Sequence, residues 1–127
     1  MLPRYNPRYS PRSLRILVAD DEPDSVAALK LLLNDEGHDV VALSKGSDVL
    51  RRVEDFRPDV LVLDLAMPDM SGYELAREIR NRMGAAVRIV ALSGFGLPED
   101  RARALEAGFD QHLVKPADAA FLKSLLG

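Results

Sequence analysis

Short runs of aliphatic residues recur along the chain, separated by longer segments whose apolar residues repeat at helical spacing. Aliphatic runs of four to six residues between such segments are typical of strands in a parallel sheet. We predict five strands, at Leu14–Ala19, Val40–Leu43, Val60–Leu63, Val87–Leu92 and Phe109–Val114. The third run shows no polar alternation, which is expected of a strand covered on both faces, so we predict that it is central.

A helix is predicted after each strand. Pro23 suits the first turn of the first helix, and Gly37 closes that helix. Ser71 and Glu74 match a capping box at the start of the third helix, and the last helix covers 117–126. Five strands that alternate with five helices predict an α/β fold, a doubly wound parallel sheet with helices on both faces.

Composition narrows the class of protein. The 127 residues are enough for one domain with a proper core, and 47% of them are apolar. The absence of cysteine excludes disulfides, thiolate metal sites and cysteine nucleophiles. No apolar stretch approaches the ~20 residues needed to span a bilayer, and the N-terminus lacks the apolar run of a signal peptide. We therefore expect a cytoplasmic protein without a membrane contact.

Residues 1–13 differ in composition from the rest of the chain. Pro-Arg recurs there every four residues, and prolines at this density prevent helix and ladder formation. We predict a flexible arm or linker at 1–13, either a solvated tail or a docking segment for an acidic partner, followed by one domain at 14–127. The arm holds three arginines, so the remainder carries about −6 of charge, against −3 for the whole chain. An acidic domain of this kind is a poor candidate for direct binding of nucleic acid.

Residues able to do chemistry follow the predicted strands. Four of the strands end at residues that would meet at the carboxyl edge of the sheet: Asp20 with Asp21, Asp64, Ser93 and Lys115. Ser44 follows the remaining strand and is expected to be a loop or cap residue. Three carboxylates in one place repel one another unless a cation lies among them, and an all-oxygen ligand set suits Mg²⁺. With a lysine and a hydroxyl added, these are the parts for phosphoryl chemistry on a carboxylate.

Four segments make the chain closely resemble the receiver domain of two-component response regulators. They are ILVADDE at 16–22, VLDLAMPDMSG at 62–72, ALSG at 91–94 and GFDQHLVKP at 108–116. The resemblance covers Leu14–Leu126. It implies a flavodoxin-like fold, with five helices and a sheet in which the strands have the order 2-1-3-4-5.

The resemblance also implies roles for individual residues. Asp64 would be the phosphoacceptor, and Ser93 and Lys115 would contact the phosphoryl group. The implied ligands of Mg²⁺ are Asp21, Asp64, the backbone carbonyl of Ala66 and, through a bound water, Asp20. These assignments make the cluster at the strand ends a reversible phosphoryl acceptor.

His112 occupies the position at which the best-described members of this family have Tyr or Phe. In those members, the aromatic ring turns inward when the hydroxyl at the position of Ser93 moves toward the phosphoryl group. His112 is therefore either a switch residue or an ordinary histidine at the surface. As a switch residue it would charge near neutral pH, which would disfavour the inward position and weaken switching at low pH.

The resemblance implies a signalling domain that undergoes only self-phosphorylation and self-dephosphorylation, rather than an enzyme. A histidine kinase or histidine phosphotransfer protein would supply the phosphoryl group. The implied output surface is the fourth helix, fifth strand and fifth helix, which would bind a downstream protein or, upon phosphorylation, a second copy of the chain. The chain is either a stand-alone regulator or the receiver part of a hybrid kinase.

Two other functions share these residues. A Mg-dependent phosphohydrolase that forms an aspartyl phosphate also uses Asp, Mg²⁺ and Lys. Such enzymes generally place a second acid two residues after the nucleophile, where this chain has Ala66. A non-phosphorylated interaction module on the same fold is disfavoured, because every residue of the site is present.

Overall fold

A five-stranded parallel sheet organises the chain. The computed structural model describes residues 13–94 and 98–115, and within them the strand order is β2-β1-β3-β4-β5. This order confirms the predicted α/β fold. Four α-helices lie in these residues. Residues 1–12 of the predicted arm and the predicted last helix at 117–126 lie outside the described residues, and the division of the chain at residue 13 stays a prediction.

The five predicted strands and the first four predicted helices are found within the described residues, and the ends of the strands shift by one or two positions. The strands are β1 (Arg15–Ala19), β2 (Asp39–Leu43), β3 (Val60–Asp64), β4 (Arg88–Ser93) and β5 (Gln111–Val114). The helices are α1 (Pro23–Asp35), α2 (Gly46–Phe56), α3 (Gly72–Met83) and α4 (Pro98–Ala107), with a short 3-10 turn at Gly84–Ala86. None of the helices in this part of the chain is both long enough and apolar enough to cross a membrane.

The fifth strand starts later than predicted. The apolar run predicts a start at Phe109, but β5 begins at Gln111. Gly108 has a φ of +109°, and the Asp110 N–H donates to the Ile89 carbonyl at 2.8 Å, so the chain is still turning into the sheet here. Phe109 is buried in the core without belonging to the strand, which is why an apolar run alone places the boundary too early.

Both faces of the sheet are buried, as a doubly wound architecture requires. One face packs against residues of α2, α3 and α4, and its strand residues include Leu17, Leu61 and Ile89. The other face packs against α1, and its strand residues include Ile16, Val62 and Val90. All five residues of β3 are buried, which confirms its central position.

The start of α3 is fixed by two neighbouring residues. Ser71 Oγ accepts a hydrogen bond from the Tyr73 N–H at 3.1 Å, so this serine caps the helix as predicted, although it binds the second residue of α3 rather than the third. At Gly72, a Cβ atom would lie 2.7 Å from the Asp64 carbonyl oxygen and 2.8 Å from Leu65 Cα. Glycine therefore lets α3 begin directly against the end of β3.

Candidate functional site

Three carboxylates meet at the carboxyl edge of the sheet. Asp20 and Asp21 follow β1, and Asp64 ends the neighbouring strand β3. One carboxylate oxygen from each residue lies within 4.8 Å of the others. Asp20 and Asp64 are buried, whereas Asp21 is exposed. The structure brings these predicted residues together, and it leaves Ser44 exposed after β2, as expected for a loop residue.

Lys115 supplies the nearby positive charge. It follows β5, and its Nζ lies 3.1 Å from Asp20 Oδ2 and 3.1 Å from Asp64 Oδ2. Glu22 Oε1 is a more distant partner, at 3.6 Å from the same ammonium group. Burial lowers the pKa of Lys115, but its close contacts with Asp20 and Asp64 outweigh that effect and raise the pKa overall. Lys115 therefore remains charged between the two buried carboxylates.

Backbone N–H groups hold the other oxygens of these two carboxylates. The Glu22 N–H donates to Asp20 Oδ1 at 3.0 Å, and the Ala66 N–H donates to Asp64 Oδ1 at 3.0 Å. Burial raises the pKa of Asp20 and the charge of Asp64 adds to this increase, while the contacts with Glu22 and Lys115 oppose it. Asp64 thus has one oxygen held by its own loop and the other facing Lys115.

The cluster fits a hard divalent cation such as Mg²⁺. Asp20 Oδ2 is buried, and although Lys115 Nζ lies nearby, this oxygen accepts no hydrogen bond of good geometry from the described residues. One ammonium group faces three carboxylates, so the site carries excess negative charge. Carboxylate oxygens with room for water are the ligands that Mg²⁺ prefers. Asp20, Asp21 and Asp64 can therefore hold such an ion.

Ser93 and His112 are hydrogen-bonded to each other beside this cluster. Ser93 is buried at the end of β4, and its Oγ lies 2.8 Å from Nε2 of His112, which is half-buried on β5. Burial lowers the pKa of His112, the charge of Arg101 acts in the same direction, and that of Asp100 opposes both. The contact supports the interpretation of His112 as a switch residue, which stays a prediction.

A cavity of about 570 Å³ opens above Asp64. Ser93 and Lys115 line it together with Tyr73 from α3 and Arg103 from α4. The Arg103 guanidinium carbon lies 4.1 Å from the centre of the Tyr73 ring, a cation–π contact between the two helices. Sequence reasoning places neither Tyr73 nor Arg103 at the site, because helical spacing does not show which residues of a helix face a neighbouring strand end.

Asp69 ties the loop after β3 to the neighbouring helix. Its carboxylate oxygens accept hydrogen bonds from the N–H groups of Gly46, at 2.9 Å, and Ser47, at 3.0 Å, at the start of α2. These bonds hold the pKa of Asp69 below its usual value. No local pattern signals this contact, since the acceptor and the helix that it caps lie more than twenty residues apart.

Comparisons with known proteins agree with this geometry. A family model, the response regulator receiver domain, matches residues 16–126. The chain is 39% identical over 104 residues to an uncharacterized 14.6 kDa protein of Leptolyngbya boryana, covering 81% of this chain and 79% of that protein. It is 39% identical over 101 residues to the transcriptional regulatory protein KdpE of Mycobacterium tuberculosis, covering 80% of this chain and 44% of KdpE. A crystal form of the chemotaxis protein CheY4 of Vibrio cholerae aligns with a TM-score of 0.85 at 26% identity, covering 91% of this chain and 97% of CheY4.

Proposed function

Because the chain belongs to the response regulator receiver domain family, a phosphoryl-accepting signalling domain, we propose that Asp64 is its phosphoacceptor. One observation carries this assignment: Lys115 Nζ lies 3.1 Å from Asp64 Oδ2, in a pocket that holds two further carboxylates. The pocket combines a nucleophilic oxygen, a fixed cation and a cavity in which a phosphoryl group can sit.

The reaction proposed for Asp64 is the transfer of a phosphoryl group from a phosphohistidine. A carboxylate oxygen attacks phosphorus, an O–P bond forms, the P–N bond breaks, and the histidine of the donor keeps the electron pair of the broken bond. Lys115 then contacts a phosphoryl oxygen in place of Asp64 Oδ2, and the Ser93 hydroxyl donates to another oxygen. Hydrolysis of the aspartyl phosphate releases inorganic phosphate and restores the carboxylate.

Receiver domains bind Mg²⁺ at an acidic pocket, and we propose specific ligands for this ion. They are Asp21, Asp64, the backbone carbonyl of Ala66 and, through a bound water, Asp20. An ion held by these residues would neutralise negative charge as the phosphoryl group reaches the carboxylate. The excess of carboxylates over ammonium groups in the pocket supports this set.

Phosphorylation by a small donor tests the assignment. We expect wild-type protein incubated with acetyl phosphate and Mg²⁺ to gain the mass of one phosphoryl group, and Asp64→Asn to gain none. Asp59→Asn is the matched control, since Asp59 is exposed at the opposite end of the sheet and should leave the mass gain intact. A mass gain on Asp64→Asn, or none on wild type, would contradict the proposal.

The chemistry that we propose stops at self-phosphorylation and self-dephosphorylation of Asp64. The phosphohydrolase alternative predicts many turnovers of a generic phosphomonoester per chain, whereas a receiver domain carries one phosphoryl group at a time. Incubation with p-nitrophenyl phosphate and Mg²⁺ separates the two. Sustained release of nitrophenol that is lost in Asp64→Asn would favour the phosphohydrolase.

We propose a histidine kinase or histidine phosphotransfer protein as the phosphoryl donor and a protein as the downstream partner. The surface formed by α4 and β5 supports the second part, because Leu105 and Val114 are exposed there at 64% and 40%. A downstream protein or a second copy of the chain would cover these side chains. The predicted fifth helix of this surface lies outside the described residues.

The chain spans 44% of the length of KdpE, so the activity and partners of a whole regulator are not carried over to it. A stand-alone regulator and the receiver part of a hybrid kinase both stay open as predictions. The cytoplasmic location likewise stays a prediction.

A further inference from the structure

Ser93 and His112 face each other because of the register between β4 and β5. His112 lies opposite Ala91, and Ser93 is two residues further along β4, so both side chains point to the same face of the sheet. Their side chains meet diagonally, with 2.8 Å between Ser93 Oγ and His112 Nε2. At this distance the two atoms share one hydrogen, contributed either by the imidazole or by the hydroxyl.

The other ring nitrogen decides which group donates. His112 Nδ1 is buried and has no hydrogen-bond partner among the described residues. A neutral imidazole carries a single N–H, and an N–H at Nδ1 would be a buried donor without an acceptor, which is a rare and costly arrangement. A proton on Nε2 has an acceptor in Ser93 Oγ. The ring therefore donates, and the serine oxygen accepts.

We propose that His112 is a positioning residue for Ser93: its Nε2–H donates to Ser93 Oγ and orients the hydroxyl to donate its single proton to an oxygen of the phosphoryl group on Asp64. This inference rests on the proposed function of Asp64. It differs from filling of a vacated space by an aromatic ring, since a phenylalanine of similar shape cannot make this bond.

The proposal concerns the direction of the hydroxyl in the phosphorylated protein. A serine hydroxyl has one proton and two lone pairs, so a donor fixed on one lone pair restricts the directions left for the proton. A group pre-oriented toward developing charge stabilises that charge without the cost of reorientation. The direction of the Ser93 hydroxyl proton is thus set by a residue of the neighbouring strand, and not by the rotamer preference of Ser93 alone.

Nitrogen NMR of the imidazoles tests the proton position without any phosphorylation. The chain has two histidines, so spectra of ¹⁵N-histidine-labelled wild type and of a His38→Gln variant assign the signals of His112. Above neutral pH we expect His112 to show a protonated Nε2 and an unprotonated Nδ1. A protonated Nδ1, or an even mixture of both forms, would overturn the proposal.

A double-mutant cycle tests the consequence for phosphorylation. We expect His112→Phe to slow phosphoryl gain from acetyl phosphate by about threefold to tenfold, the range of one ordinary hydrogen bond. The same change in a Ser93→Ala background should have no further effect, because the hydroxyl that His112 orients is already gone. His112→Gln, whose amide can donate in place of the ring, should recover most of the rate.

Three results would refute the positioning role. They are an equal slowing by His112→Phe with and without the Ser93 hydroxyl, a His112→Phe rate equal to wild type, and a His112→Gln rate as low as that of His112→Phe. Each leaves the mass gain of wild type intact, whereas failure of the proposed function removes that gain. The two failures are therefore distinguishable.

Discussion

Aspartates lie beside the strands at both ends of the sheet, but their carboxylates have different hydrogen-bond and charge partners at the two ends. At the amino end, Asp59 Oδ2 accepts the Arg15 N–H at 2.8 Å. Asp110 Oδ2 accepts the Ile89 N–H at 2.8 Å and the Arg80 guanidinium at 2.7 Å. Each of these two carboxylates accepts a hydrogen bond from a backbone N–H, which fixes it within the fold.

At the carboxyl end, two buried carboxylates share one ammonium group. Lys115 lies 3.1 Å from both Asp20 and Asp64, and Asp21 adds a third negative charge nearby. Like charges held together lower the stability of the folded chain, and they are at the same time what a cation and a phosphoryl transfer require. The comparison teaches that the fully paired carboxylates at the amino end stabilise this fold, while the carboxylates in excess at the other end lower its stability and supply the reactivity that we propose.

Among the substitutions that test this comparison, we expect the largest change in the free energy of unfolding at Arg80, at the amino end of the sheet. Its guanidinium donates four hydrogen bonds, to Gly108 O at 2.8 Å, Gly84 O at 2.9 Å, Val87 O at 2.6 Å and Asp110 Oδ2 at 2.7 Å. Arg80→Ala removes the side-chain donor of the three carbonyls, while Asp110 Oδ2 keeps the Ile89 N–H, and it should lower the free energy of unfolding by about 3 kcal/mol. Urea denaturation followed by circular dichroism measures the change.

Arg77→Ala is the matched control for Arg80→Ala. Arg77 is exposed on the same helix, and its replacement should change the free energy of unfolding by less than about 0.5 kcal/mol. The folded fraction of Arg80→Ala should still accept a phosphoryl group, since the site lies at the other end of the strands. Equal stability of the two variants would show that the guanidinium bonds contribute nothing net.

Replacement of Asp20 is expected to have a smaller effect than that of Arg80, and to raise rather than lower the free energy of unfolding. Burial raises its pKa, so above the unfolded value of 3.8 the ionised group lowers the stability of the folded chain. Asp20→Asn should therefore raise the free energy of unfolding at pH 7 by about 1 kcal/mol, in the absence of Mg²⁺. Thermal denaturation checks this, and phosphorylation by acetyl phosphate should fall in the same variant. A loss of stability would mean that the Lys115 contact outweighs burial.

The smallest effect is a pH dependence at His38, at the amino end. His38 Nδ1 accepts the Leu14 N–H at 3.1 Å, and burial lowers the pKa of this histidine below the ordinary 6.5, while the charge of Glu36 opposes that change. The folded chain therefore binds fewer protons, and its stability falls as the pH drops below 6.5 through the folded pKa. His38→Gln should lose less stability than wild type between pH 8 and pH 5.5, measured by urea denaturation. An equal loss would contradict the role of His38.

The sheet and the site carboxylates are predictable because their signals are local. An aliphatic run followed by a polar residue indicates a strand end, and this pattern alone places Asp20, Asp64, Ser93 and Lys115 at one edge of the sheet. The strand order requires the resemblance to a family, since periodicity does not specify which strands are neighbours. The predicted start of β5 is wrong by two residues, because Phe109 is buried in the core without belonging to the strand.

The contacts that could not be predicted join residues that are distant in sequence. Arg80 binds loop carbonyls, and Asp69 caps a helix that precedes it by more than twenty residues. His112 is identified by its position, but its bond to Ser93 depends on a diagonal between two strands and on which ring nitrogen faces the site. Such contacts follow from the assembled sheet and have no pattern of their own along the chain.

The position of Tyr73 gives this domain a built-in optical probe. The chain has three tyrosines and no tryptophan, and the other two, Tyr5 and Tyr9, belong to residues 1–13. With both replaced by phenylalanine, the tyrosine fluorescence would come from a single ring that lines the cavity above Asp64 and stacks on Arg103. Changes at the site can then be followed in real time, without a dye and without an added chromophore.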